Sequence, residues 1–173
     1  MKVRYQVAVV AFIALTLLTT SCIRTQKLKL VQPVDVFNRY GRVENYSFDN
    51  SKKKVINFFD VRCIGMVMDY TPTGKIDRLI KNNPDYDFIF YISNCKQKDT
   101  LRVMKQLTKY QCEFPVIMDY EDEFRAKNLG KNNPMTLIGY ICNEKNVVLG
   151  ISVIGTTQSF FDQTFAKIKR TEK

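Results

Sequence analysis

Residues 86–104 read YDFIFYISNCKQKDTLRVM and place one cysteine where a thiol could do chemistry. Residues 88–92 are uninterrupted apolar and β-rich, as expected of a strand buried on both faces. From 99 to 110 the apolar residues fall at helical spacing, with Leu101, Val103, Met104 and Leu107 expected on one side. Cys95 stands between the two. At a helix start, unpaired N–H groups and the positive end of the dipole favour thiolate over thiol. Lys96 and Lys98 add positive charge, and Asp99 opposes it. Two readings follow: a reactive thiol, or a small residue filling a strand end.

Composition removes most other chemistries. The 173 residues include no histidine, which excludes a Ser-His-Asp triad, a Cys-His pair and an HExxH zinc site. The five cysteines, Cys22, Cys63, Cys95, Cys112 and Cys142, show no CxxC spacing, so neither a structural zinc nor any cofactor is expected. Glu121-Asp122-Glu123 falls at an expected helix start, where negative charge is stabilising without any catalytic role. No glycine-containing turn matches a phosphate loop. The formal net charge is +10, but no basic patch with an aromatic platform marks a nucleic-acid module.

The N-terminus reads as an export signal. Lys2 and Arg4 precede an apolar stretch at 7–18, shorter than the roughly 20 residues of a spanning helix. Thr19-Thr20-Ser21 then leads to Cys22. The arrangement resembles a bacterial lipoprotein signal of the Bacteroidota type, which implies cleavage before Cys22 and lipid on its thiol. An ordinary cleaved signal with an incidental Cys22 is the other reading. Removing residues 1–21 takes away Lys2 and Arg4, so +10 becomes +8. Arg24, Lys27 and Lys29 follow the anchor and favour anionic headgroups.

The expected organisation is a signal peptide at 1–21, a lipidated tether at 22–42 and an extension at 43–62 that probes as strands around a polar turn. A domain at 63–173 follows. In that domain, 63–68 reads as a strand, 75–82 as a helix and 88–92 as a strand. The helix at 99–110, a strand at 114–118 and a helix at 121–129 come next. Strands at 135–141 and 147–153 and a helix at 158–169 close it. The order β-α-β-α-β-α-β-β-α points to an α/β fold, a mixed sheet with helices on both faces.

This order, with the run into Ser93-Asn94-Cys95, the Asn133-Pro134-Met135-Thr136 segment and Gly155, resembles the thioredoxin-like fold of membrane-anchored envelope proteins. The resemblance implies a three-layer sandwich, a redox cysteine at Cys95 and a cis Pro134 facing it. It also implies open backbone groups beside the sulfur for an extended substrate. The family's CxxC reads Cys95-Lys96-Gln97-Lys98 here, so Lys98 replaces the resolving thiol. The peroxiredoxin pattern PxxxTxxC is absent, with Phe88 and Ile92 at its positions. Cys63 and Cys112 are expected on one edge of neighbouring strands, as a structural disulfide.

The implied function is that of an exported, lipid-anchored, periplasm-facing protein. Cys95 would form mixed disulfides with exported thiol proteins or small thiols, as a monothiol oxidoreductase. The alternative is a redox-inactive module that binds an extended peptide or partner protein beside Pro134.

Overall fold

The computed structural model describes residues 26–69, 75–152 and 158–171. The expected signal peptide and Cys22 lie outside them. Among the described residues seven strands form one mixed sheet: β1 (Asp35–Asn38), β2 (Gly41–Arg42), β3 (Lys53–Asp60), β4 (Tyr86–Ser93), β5 (Val116–Met118), β6 (Leu137–Cys142) and β7 (Val148–Ile151). Their order is β2-β1-β5-β4-β3-β6-β7. The helices are α1 (Ile64–Asp69), α2 (Lys75–Lys81), α3 (Thr100–Lys109), α4 (Glu123–Asn128) and α5 (Gln158–Thr171).

β3 organises the sheet. It pairs with β4 in parallel along its whole length, from Lys53 opposite Tyr86 to Asp60 opposite Ser93. On its other side it pairs antiparallel with β6, from Lys54 opposite Cys142 to Phe59 opposite Leu137. Seven of its eight residues are buried, as a strand covered on both faces requires. Val55 and Phe59 join one core with Val103 and Leu107 of α3 and Phe165 and Ile168 of α5. Ile56 and Phe58 join the other, with Phe124 of α4. Helices therefore cover both faces. The edge where β3, β4 and β5 end is the upper edge, and the edge where they begin is the lower.

The strand expected at 63–68, opening the βα alternation, is thus β3 at 53–60. Val61–Cys63 is a 3-10 turn, and the apolar residues that follow form α1. An apolar run this short has no period that separates strand from helix, and pairing partners decide.

The segment expected to be a tether is part of the domain from Gln26 onward. Leu28 and Val31 are buried in the second core. The buried Tyr91 hydroxyl donates to the Val31 carbonyl at 3.0 Å and accepts from the Val31 N–H at 3.1 Å. Lys27 bridges Val147, and the Val148 N–H donates to the Gln26 carbonyl at 2.9 Å. β1 and β2 then extend the sheet beyond β5.

Aromatic rings hold the short α4 in place. Phe124 stacks on Phe58 and on Tyr91, with centroids 5.6 Å and 4.6 Å apart. A six-residue helix is not stable alone, and such ring pairs contribute about 0.5–1.5 kcal/mol each beyond burial. Gly139 in β6 is required by space: a Cβ there would lie 2.0 Å from the Ser152 carbonyl oxygen. On α3, Val103 and Leu107 are buried, whereas Leu101 is 74% exposed and off the expected face.

Candidate functional site

The ends of β3, β4 and β6 meet at the upper edge and are joined by one polar network. Asp60 closes β3. Its buried carboxylate accepts from the Arg62 backbone N–H and from Arg62 Nε and Nη2, each at 2.8 Å. The Asn94 amide donates to it at 3.0 Å. Burial alone would raise the Asp60 pKa, but the Arg62 side chain and N–H and the Asn94 amide outweigh it and hold the carboxyl at about 2. The Asp60 N–H donates to the Thr136 carbonyl at 2.8 Å, which fixes the chain leading into β6. Cys63 closes the turn that Asp60 caps and is half-buried.

Arg125 is the second organiser. It is 7% exposed, and a buried charge must be paired or hydrogen-bonded. Its Nε donates to Asp122 at 2.8 Å. Its Nη1 donates to the carbonyls of Asn133 at 2.6 Å and Met135 at 2.7 Å, on either side of Pro134. Its Nη2 lies 3.4 Å from the Ser93 hydroxyl, and its guanidinium sits 4.9 Å above the Phe58 ring. Asp119, at the end of β5, caps α4 by accepting from the Glu123 and Phe124 N–H groups.

Cys95 does not have the environment expected for a reactive thiol. It is 2% exposed and part of the first core. Asn94 before it is left-handed at φ 51°, and the chain reaches a 3-10 turn at Gln97–Asp99 before α3 starts. The sulfur therefore points back and donates to the Ile92 carbonyl at 3.2 Å. Burial first, then Asp119, Asp99 and Asp122, push its pKa up to about 12. Lys96 and Lys98 are exposed, and the net effect of the surroundings opposes their expected stabilisation of a thiolate.

Three further expectations are corrected. Every described peptide bond is trans, the one before Pro134 included. The groups beside Pro134 are also not open. The Asn133 N–H donates to Gly130, the Met135 N–H donates to the Asn133 side chain at 2.9 Å, and Arg125 takes both carbonyls. Cys63 and Cys112 form no disulfide. Cys63 lies at the upper edge, while Cys112, at the lower, accepts from the Arg39 N–H through its carbonyl. β4 separates β3 from β5, and strands of this length put the two about 25 Å apart. Burial pushes the Cys112 and Cys142 thiols up to about 12.

Sequence reading missed Asp60, Arg62 and Arg125. The apolar residues Val55, Ile56, Phe58 and Phe59, around a single Asn57, were a usable signal for β3, and the Asp-x-Arg spacing at 60–62 could have marked a capped turn. Nothing local to Arg125 showed that it would be buried.

No family profile matches the chain, and no curated protein does. Solved structures do. The mitochondrial 2-Cys peroxiredoxin of Plasmodium falciparum superposes with a TM-score of 0.61 at 17% identity, covering 86% of this chain and 95% of that one. A proposed protein disulfide isomerase from Bacteroides thetaiotaomicron gives 0.57 at 14%, covering 86% and 92%. A secreted disulfide oxidoreductase of Mycobacterium tuberculosis gives 0.50 at 13%, covering 78% and 96%. The fold is thioredoxin-like: a mixed sheet between layers of helices. In the five-strand set β5-β4-β3-β6-β7, the middle strand is β3. The position that follows the middle strand is therefore Cys63-Ile64-Gly65-Met66, one βα unit before Cys95.

The network yields two expectations. Arg125→Met leaves the carbonyls flanking Pro134 without their donor and should cost about 2–4 kcal/mol. Amide exchange should accelerate across 130–136 while β3 stays protected; unchanged exchange there would show that the clamp does not hold the loop. The lowered Asp60 pKa stabilises the fold fully above about pH 4 and loses that contribution as pH falls through about 2. The loss is about 2 kcal/mol, and Asp60→Asn should remove that part of the acid dependence of the urea midpoint.

Proposed function

We propose that this is an exported, lipid-anchored thioredoxin-like protein that exchanges disulfides through one cysteine, and that the cysteine is Cys63. The observation that carries this is positional. Among the described cysteines Cys63 alone is not buried, and it directly follows the strand at which the sheet changes from parallel to antiparallel pairing. The names of two fold neighbours, a proposed disulfide isomerase and a disulfide oxidoreductase, support the same chemistry.

In this reading the Cys63 thiolate attacks one sulfur of a substrate disulfide, and the other sulfur leaves as a thiolate. The product is a mixed disulfide at Cys63. Three residues on, where a CxxC protein has its resolving thiol, stands Met66. A thioether cannot attack the mixed disulfide. Cys95 is held as a buried, protonated thiol, and Cys112 and Cys142 lie at the lower edge. An external thiol must therefore complete the exchange. Substrates are exported thiol or disulfide proteins, or small thiols. The alternative of a binding module beside Pro134 is less well supported, because the backbone groups it would use are engaged by Arg125 and by the loop itself.

Oxidised glutathione should give one stable adduct at Cys63 by peptide mass mapping. Cys63→Ser should abolish it and Cys95→Ser should not. Met66→Cys should convert the adduct into an internal disulfide with measurable reductase turnover. An adduct at Cys95, or none, would overturn the assignment.

The anchoring part of the reading rests on the sequence before Gln26. Among the described residues no helix is long and apolar enough to cross a membrane. Mass analysis of the chain extracted from bacterial membranes should find Cys22 as an acylated N-terminus. An unmodified Cys22, or a mature chain starting elsewhere, would remove the anchor.

A further inference from the structure

The lower edge carries a charge pattern that disulfide exchange at the upper edge does not use. Lys27, Lys81, Lys145, Lys169 and Arg170 are all exposed there. Lys145 sits in the turn between β6 and β7, and Lys27 bridges the same turn at Val147. Lys169 donates to the neutral amide of Asn83 at 2.9 Å, and its ammonium lies 5.5 Å over the Phe165 ring. The acids of this edge are largely engaged. Asp49 pairs with Lys52 at 3.7 Å, and Glu113 with Arg39 at 2.6 Å. Asp77 and Asp87 are half-buried and accept backbone N–H groups. Asp85 and Glu144 are exposed. The balance is cationic. The upper edge mixes its signs: Asp60 pairs with Arg62, Asp122 with Arg125 and Glu123 with Lys127.

The start of the docked chain lies at the same lower edge. Gln26, Lys27 and Leu28 are fixed to Val148, Val147 and Asn146 by backbone hydrogen bonds. Four residue steps separate Cys22 from Gln26, a reach of at most about 14 Å. A lipid on Cys22 would therefore bring the cationic edge, and no other, against a bilayer.

We propose that the lower edge is a membrane-apposed surface for an anionic lipid bilayer, which holds the Cys63 edge outward. The proposal builds on the anchor reading. Each cation near an anionic surface contributes about 1 kcal/mol, an effect that fades beyond a Debye length of about 10 Å. The upper edge, about 25 Å away along β3, is outside that range. Disulfide exchange would then face soluble partners and not the lipid.

The test is amine-acylation footprinting of the full chain, as cells process it, on vesicles of phosphatidylglycerol and phosphatidylcholine or of phosphatidylcholine alone. On anionic vesicles Lys27, Lys81, Lys145 and Lys169 should react about fivefold more slowly, with 0.5 M salt restoring their rates. Lys96, Lys98 and Lys131 should not change. Equal protection of both edges, protection of the upper edge alone, or the same protection on pure phosphatidylcholine would overturn the proposal. The outcome separates from the anchor reading. Lower-edge protection with an unmodified Cys22 removes the anchor and keeps the surface; an acylated Cys22 with no protection does the reverse.

Discussion

A strand with a parallel partner on one side and an antiparallel partner on the other has no edge left for water. β3 is in that position, and most of the architecture follows from it. Its backbone groups are used by β4 and β6, so its side chains must be covered above and below the sheet. The crossovers from β3 to β4 and from β4 to β5 carry helices to one face, and α4 reaches the other through Phe124. The same position gives β3 a special end. Where it stops, one neighbour is also stopping and the other is starting, so three chain ends converge on Asp60.

Convergence at that end is an electrostatic problem as much as a packing one. Two groups settle it. Asp60 gathers Arg62 and Asn94, and Arg125 gathers Asp122, Ser93 and the carbonyls around Pro134. Each buried charge finds its partners inside the edge. The cost is that the loop around Pro134 turns its polar groups inward. A site made this way sets Cys63 at the same sheet edge as a loop whose polar groups are already engaged.

Two cysteines stand a few residues past neighbouring strand ends, and the structure treats them oppositely. Cys95 follows a left-handed residue that turns its sulfur back onto the Ile92 carbonyl, among carboxylates. Cys63 ends a capped turn and is only partly buried, against the rim of the first core. Backbone direction over two or three residues decides between them. The antiparallel run of β6 against β3 also sets the polarity of the molecule, with the docked N-terminal segment and the cationic edge at one end and Cys63 at the other.

By itself the amino-acid sequence determined the layered α/β class, because strand-like runs at 88–92 and 135–141 alternate with helical spacing at 99–110 and 158–169. It also determined the excluded chemistry, because no histidine is present and no second thiol lies within reach of a CxxC turn. It did not determine which apolar run is the switch strand. Residues 63–68 are too short to show a period, and the lysines at 52–54 disguised the start of β3, whose Lys54 is buried against the adjoining strands. Strand pairing is a contact between residues far apart in sequence. Only the assembled sheet could therefore move the candidate site from Cys95 to Cys63, dock residues 26–34 through Tyr91, and bury Arg125 beside the Pro134 loop.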